Sequence, residues 1–431
     1  MISRVLPLQG GFAVSETKTR ATTIIRLAAL LLLAACIALL PSGCGRKANP
    51  SPDAPAKTEG KIQICYLGLT CEPAIFAAYE NGFFKEEGLD VELVKTDWTA
   101  LRDGLASGRF HATYSFIMYL IKPVEMGMDL KLTGGIHTGC LRVQAGTKTD
   151  IKQVEDLKGK KLGITHMGSP PFLFASRVLA DRGMDPRRDV EWVTMPADAM
   201  PKAIEEGRVD AVASAEPIGT MLMANNKVHS VCDQASDTPY DKEYCCIVAV
   251  NGNFARENPS AAAKATRALL KGAKWVSLNP TAAARLAVEK SYVTATAEIN
   301  AQAIAMLQYE PGIAKARQDV RTAALAMKKA GFLKKESDPE ELAKKAWLDL
   351  DGVTDEWIKN LKVEKVAAGG RPPKLSPTAL AALLHGDFCC QGGACLGCCG
   401  DSGPSLLPMT EEWALVRPLH LDLALNPSPE P

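Results

Sequence analysis

Two stretches of this chain recur at one fixed offset, and that repetition limits the fold more than any other feature. Asp90-Val91-Glu92-Leu93-Val94 returns 99 residues later as Asp189-Val190-Glu191-Trp192-Val193. Residues 100–115 then align without a gap on residues 199–214, with Gly108-Arg109 on Gly207-Arg208, Ala112 on Ala211 and Ser115 on Ser214. A repeat that stays in register marks one supersecondary unit used twice. Each copy reads β-α-β-α-β. In the first, strands are predicted over 61–67, 91–94 and 112–116, with a helix over 73–84 and a second carrying Leu101 and Leu105 at i, i+4, ended by Gly108. The second copy runs through 161–165, a helix from Pro170, 190–193, a helix over 197–206 and 209–214. Strands alternating with helices imply an α/β fold with parallel sheets covered on both faces.

The length agrees with two lobes, because 431 residues exceed what one small core accommodates. After the second copy, Tyr244–Asn251 reads as a return strand. The Ala-, Lys- and Leu-rich stretches 259–277, 281–289, 313–330 and 339–348 read as amphipathic helices that return to the first lobe. Beyond Gly369 the sequence turns to Pro, Gly and Cys without a period, as a poorly ordered tail does.

Arg4, Lys18, Arg20 and Arg26 precede an uninterrupted apolar run over residues 27–40. That run is shorter than the roughly 20 residues that cross a bilayer and reads as an export signal, with an uncleaved anchor as the alternative. Leu39-Leu40-Pro41-Ser42-Gly43-Cys44-Gly45 resembles a bacterial lipobox, from which Pro41 departs. Leu33-Ala34-Ala35-Cys36 fits that pattern better but would leave the apolar residues 37–40 on the mature end. Cys44 is the expected lipidation site, with Cys36 as the alternative, because the stretch behind Cys44 is polar and suits a tether. The body is therefore expected on the extracytoplasmic face of the cell membrane.

Lys and Arg number 50 against 49 Asp and Glu, leaving a formal net charge of +1. No basic field or motif points to nucleic acid. No activated nucleophile, Gly-rich nucleotide loop or HExxH motif occurs, so the expectation is binding without catalysis and without a cofactor.

Phe76-Ala77-Ala78-Tyr79-Glu80-Asn81-Gly82-Phe83-Phe84-Lys85-Glu86-Glu87-Gly88-Leu89-Asp90-Val91 resembles the signature of the NMT1/THI5-like solute-binding proteins. Val154-Glu155-Asp156-Leu157-Lys158-Gly159-Lys160-Lys161-Leu162-Gly163 and Gly207-Arg208-Val209-Asp210-Ala211 add to the resemblance, which covers about residues 61–367. It implies a type II periplasmic-binding-protein fold, in which two doubly wound lobes are joined by two hinge crossings. Those crossings are expected near Leu141–Gln144 and Cys245–Ala249. The implied organisation is a signal region over 1–44, a tether over 45–60, a first lobe over 61–141 and 250–368, a second over 142–249, and a tail over 369–431. It further implies a monomeric, lipid-anchored protein that delivers a small solute of the nitrate, bicarbonate, sulfonate or taurine type to the permease of an ABC importer. Cytoplasmic pyrimidine synthases of the same family, built around an iron-linked cysteine cluster, give an enzymatic alternative. A metal-binding or sensory lipoprotein is a third.

In doubly wound sheets, ligands lie beyond the carboxyl ends of the strands. That rule selects Thr70 and Glu72, Trp98 and Thr99, Ser115 and Phe116, Ser169, and Ser214 with Glu216; His137 and Thr138 lie just before the first crossing. Free N–H groups at helix starts suit an oxyanion. The plainer reading makes Thr70, Thr99 and Ser169 helix caps and gives His137 a buried carbonyl as partner. Glu72 and Glu216 suit an amine, unless an arginine holds them or they cap helices.

Of 13 cysteines, Cys71, Cys140, Cys245 and Cys246 fall beside the cleft loops and crossings. A bond from Cys140 to Cys245 or Cys246 would join the crossings; small buried hydrophobes are the alternative. Cys390, Cys395 and Cys398 in the tail have a C-x4-C-x2-C spacing, read here as part of a thiol-rich tail. No metal ligands are assigned.

Overall fold

The computed structural model describes residues 60–224 and 227–366. The signal region with Cys36 and Cys44, the tether up to residue 59 and the cysteine run of the tail lie outside the described residues.

Two five-stranded sheets form the body. The first holds β1 (Ile62–Tyr66), β2 (Val91–Lys95), β3 (Ala112–Phe116), β4 (Leu130–Thr138) and β10 (Tyr244–Asn251). The second holds β5 (Leu141–Gly146), β6 (Lys161–Ile164), β7 (Glu191–Thr194), β8 (Ala211–Ala215) and β9 (Val228–Asp233). Their orders, β2-β1-β3-β10-β4 and β7-β6-β8-β5-β9, are one pattern used twice. β1 pairs in parallel with β2 and β3, and β6 with β7 and β8. These are the three strands of each repeat copy. The next position in each sheet is taken by an antiparallel strand, β10 between β3 and β4, and β5 between β8 and β9.

Those antiparallel strands are where the chain changes lobes. β4 lies in the first sheet and β5 in the second, so the first crossing is Gly139-Cys140; the second is residues 234–243, between β9 and β10. The crossings expected near Leu141–Gln144 and Cys245–Ala249 lie just before those stretches, which themselves sit inside β5 and β10, already paired in their destination sheets. For the same reason Tyr244–Asn251 belongs to the first sheet, and the second lobe ends before Tyr244 rather than at 249. β10 is buried at every residue, as a strand covered on both faces must be.

Helices Pro259–Leu278, Pro280–Glu289, Ala314–Lys329 and Pro339–Ala346 appear within about two residues of their expected positions. Helix Pro259–Leu278 lies against helix Pro73–Glu80, and Gly272 permits the approach: a Cβ there would lie 2.2 Å from the Ala74 carbonyl oxygen. One stretch had no expected role. Between helices Ala297–Met306 and Ala314–Lys329 the chain runs beside β4, where Thr138 N–H donates to the Gln308 carbonyl at 3.1 Å and Gly135 N–H to the Gly312 carbonyl at 2.8 Å.

The lobes are closed on each other. Helix Pro170–Asp181 of the second lobe packs against helices Ile117–Glu125 and Ala314–Lys329 of the first. Phe172 and Phe332 stack edge to face with centroids 5.4 Å apart, and Lys329 Nζ lies 2.8 Å from an Asp181 oxygen.

The two crossings also touch. Gly139 has φ 71°, and a Cβ added there would lie 2.9 Å from the Ala235 Cβ. Gly139→Ala therefore combines a left-handed backbone with a clash and is expected to lower stability by about 1–3 kcal/mol. Chemical denaturation measures this, and an unchanged midpoint would show that the crossings do not press on each other at this point.

Candidate functional site

The carboxyl ends of β1, β3 and β4, the start of β10 and the first crossing meet in one buried region. Cys246 is the register partner of His137 on β4 and of Phe116 on β3, so strand pairing alone brings these side chains together. Tyr114 and Tyr309 both donate to the Cys71 carbonyl, at 2.7 and 2.9 Å, and fix the loop after β1 above the same spot.

Four of the side chains picked by position carry polar atoms with no hydrogen-bond partner among the described residues: Thr70 Oγ1, Ser115 Oγ, His137 Nε2 and Thr138 Oγ1. All four residues are buried. Leaving a buried polar group unpaired costs about 1–3 kcal/mol, so a water or a guest is needed at these atoms, as at Ser176, Arg177, Gln234 and Asn300 elsewhere. The His137 Nδ1 lies 3.2 Å from the Thr138 carbonyl oxygen. With the proton on Nδ1, that contact is a hydrogen bond to the carbonyl and Nε2 carries the lone pair. Burial holds the His137 pKa below its ordinary value.

The remaining candidates serve other groups. The Glu72 carboxylate accepts the N–H groups of Leu67, Gly68 and Leu69, at 2.9, 2.7 and 2.7 Å. Burial pushes its pKa up to about 7 against those hydrogen bonds. Ser169 is the N-cap of helix Pro170–Asp181 and accepts the Phe172 N–H at 3.4 Å. Ser214 donates to Gln144 at 3.0 Å. Glu216 meets the Arg142 guanidinium at 2.7 Å and accepts the Thr220 N–H at 3.0 Å; burial likewise raises its pKa to about 7. Trp98 is half-buried at the cleft's edge between Phe116, Tyr119 and, from the other lobe, His166, with ring centroids at 5.8, 5.2 and 6.5 Å. Thr99 is exposed and stands apart from the buried group.

Electrostatically the region differs from the oxyanion cleft expected from free helix starts. Glu72, Ser169 and Glu216 take backbone donors of their own loops and helix starts. Among the described residues, the buried cations are Arg142 and Arg177. Arg142 is matched by Glu216 and by Asp233 at 2.8 Å, and Arg177 by Glu243 at 2.7 Å.

The cysteines form the most distinctive feature. All six described cysteines are free and buried. Cys71 contacts the thiols of Cys140 and Cys246, Cys245 contacts those of Cys140 and Cys246, and the four close into a ring. A ring nitrogen of His137 and the Sγ atoms of Cys71 and Cys246 lie within 4.8 Å of one another, a grouping for which the sequence reading assigned no metal ligands. The Cys140 contact and burial push the Cys71 thiol up, and burial does the same for Cys245 and Cys246. For Cys140 burial acts in the same direction, but the thiols of Cys245 and Cys71 and the nearby His137 outweigh it and hold the group well below its ordinary range. Cys140 also has φ 138°, a left-handed conformation rare for a side-chain-bearing residue.

An interlobe cavity of about 20 Å3, lined in part by Phe116, Pro170, Gln234, Tyr244 and Cys245, has room for a water-sized guest. A roomier groove of about 640 Å3 opens on the outer side of the first lobe between Lys274, Ser277 and Gln308; Tyr309 lines it as well.

Sequence reasoning passed over Arg142, Tyr114 and Tyr309. Tyr114 was within reach, since it sits one residue before the selected Ser115. Tyr309 carried no signal, because its segment has neither a helical nor a strand period.

The sequence profile of the NMT1-like family matches residues 55–292. The nitrate/nitrite binding protein NrtA of Nostoc sp. is 24% identical over 257 residues, covering 54% of this chain and 58% of that protein. A Haemophilus influenzae protein named for thiamine biosynthesis is 31% identical over 162 residues, 37% of this chain and 51% of that protein. The chain thus spans about half the length of the curated relatives it matches. Among solved structures, the periplasmic nitrate-binding protein NrtA of Synechocystis superposes with a TM-score of 0.57 at 16% identity, covering 76% of this chain and 98% of that one. The fold is the two-lobed type II periplasmic-binding-protein fold.

Replacing Arg142 by Met leaves Glu216 and Asp233 buried without their cation. Breaking a buried pair from one side costs about 3–5 kcal/mol, and urea denaturation of Arg142→Met is expected to show a loss of that size. The double variant Arg142→Met/Glu216→Gln is expected to recover part of it. Equal stability of wild type and Arg142→Met would show that the triad is solvent-screened.

Proposed function

Because the chain belongs to the NMT1-like family and its two lobes close over a buried polar region, we propose that it is the solute-binding protein of an ABC importer, capturing a small solute and passing it to the permease. The observation that carries this reading is the set of unpaired buried atoms on Thr70, Ser115, His137 and Thr138. They belong to the first lobe, at or beside the ends of its strands, and a guest would supply the hydrogen bonds they lack. The nitrate-binding relatives support solute capture as the shared activity. The solute classes to be tried are nitrate, bicarbonate, alkylsulfonates with taurine, and aminopyrimidines. An anion would be held by hydroxyl and thiol donors, since the buried guanidinium groups are already matched. Catalysis is not part of the proposal.

A ligand that binds only the folded clamp stabilises it by about 2.7 kcal/mol at a hundred times its Kd. A thermal-shift screen of the reduced protein over these four classes and over thiophilic cations is expected to find one that raises the melting temperature with the logarithm of concentration. A melting temperature flat across all of them would overturn the clamp reading.

We further propose lipid anchoring through Cys44, or through Cys36 as the alternative, with the body outside the cytoplasm. The basic and apolar run before these cysteines supports it. Among the described residues no helix is long and apolar enough to cross a membrane. The Cys36→Ser/Cys44→Ser double variant is expected to leave the membrane fraction; continued attachment would sink the lipoprotein reading.

A further inference from the structure

We propose that the cleft binds a thiophilic d10 cation, Cu(I) or Zn(II), through Cys71, His137 and Cys246, with Cys140 and Cys245 closing the thiol ring around it. This rests on the clamp reading and names the solute class that the clamp would take.

Geometry comes first. Zn–S bonds of about 2.3 Å place the ligand atoms of a tetrahedral site roughly 3.8 Å apart. Here two Sγ atoms and an imidazole nitrogen already lie within 4.8 Å of one another, so a small contraction suffices. The spacing fits one ion rather than an iron–sulfur cluster. Second, the imidazole is prepared as a ligand should be. Its Nδ1 faces the Thr138 carbonyl, while Nε2 is fully buried and without a partner, the second-shell arrangement that orients metal-bound histidines. Third, the donors are of one chemical kind. Thiolates with imidazole select soft and borderline ions such as Cu(I) and Zn(II) over Mg(II) or Ca(II), which prefer oxygen.

The charges also agree. The buried guanidinium groups are each matched by carboxylates, so no uncompensated buried arginine opposes a metal cation. On binding, each ligating thiol gives its proton to solvent, whereas the neutral imidazole offers a lone pair with no proton to lose. Cys140 belongs to the crossing between the lobes, and its thiol touches Cys71 and Cys245. An ion in the ring therefore bears directly on the segment through which the lobes move.

The test uses the full chain with the two amino-terminal cysteines and the five tail cysteines replaced by Ser, kept reduced, so that only the six body thiols remain. Cu(I) and Zn(II) are titrated against chromophoric chelators, with melting temperature followed in parallel. The expected result is one equivalent of either cation per chain and a raised melting temperature. Cys71→Ser, Cys246→Ser and His137→Gln are each expected to weaken binding by roughly a hundredfold, while Cys232→Ala, outside the ring, leaves it unchanged. The metal-free melting temperature of each variant separates lost binding from lost folding, and His137→Gln retains the burial of a polar side chain if the Ser variants fold poorly. Affinity retained in all three ligand variants overturns the assignment. So does a failure of both cations to bind. If an anion or aminopyrimidine then raises the melting temperature, the clamp reading survives without the metal; if nothing does, both fall.

Discussion

The pairing of Arg142 with Glu216 and Asp233 is the interaction on which the geometry of the clamp depends. A buried guanidinium is tolerable only if carboxylates meet it with good geometry, and here the guanidinium and its two carboxylates come from three different paths of the chain. Arg142 follows the first crossing, Asp233 ends β9 where the second crossing begins, and Glu216 leaves β8 for the helix that follows. One side chain thus fixes the positions of all three. Asp233 extends the constraint: its second oxygen accepts the Ala235 N–H at 2.8 Å, and its own N–H donates to Asp237 at 2.9 Å. The second crossing therefore starts as a turn wound about a carboxylate that Arg142 holds, and Ala235 of that turn is the residue against which Gly139 of the first crossing presses.

The sheets were legible because a repeat is a statement about architecture that needs no knowledge of packing. The three parallel strands of each lobe and the long helices after β10 stand where periodicity and the repeat placed them. The crossings were not legible in detail. Which sheet a strand joins is decided by its neighbours in space, and β5 and β10 look alike as apolar strands whichever lobe receives them. The same limit applies to the loops. Glu72 sits one residue before a helix, yet its carboxylate serves the N–H groups of Leu67–Leu69 behind it, a contact that helix-capping rules do not anticipate. The expectation of free donors at helix starts missed this, because the chain's own side chains reach those donors first.

The thiol ring illustrates the opposite case, in which each residue was noticed and the ensemble was not. Cys71, Cys140, Cys245 and Cys246 lie far apart in sequence, apart from the last two, and singly each passes for a small apolar side chain. They converge because β10 lies beside β4 and because two tyrosines hold the loop after β1 over that pair. Burial raises the pKa values of Glu72 and Glu216 to about 7, so near neutral pH they carry less negative charge than ordinary carboxylates, while Cys140 ionises more easily than its three thiol neighbours. Burial holds the pKa of His137, the imidazole of this region, below its ordinary value.

The two crossings are of unequal length, Gly139-Cys140 on one side and residues 234–243 on the other. A two-residue link concentrates rotation in a few backbone dihedrals and acts as a pivot pin, while the longer link, folded into turns, behaves as a strap that limits travel. The pivot has almost no slack: an insertion there would shift β5 past its partners and turn its side chains to the opposite face. The strap is longer but anchored at both ends, by the turn about Asp233 and by Tyr240 and Glu243 against Asp181 and Arg177, which leaves slack only between those points. Variation among chains built on this plan should therefore gather between those anchors and spare the pin.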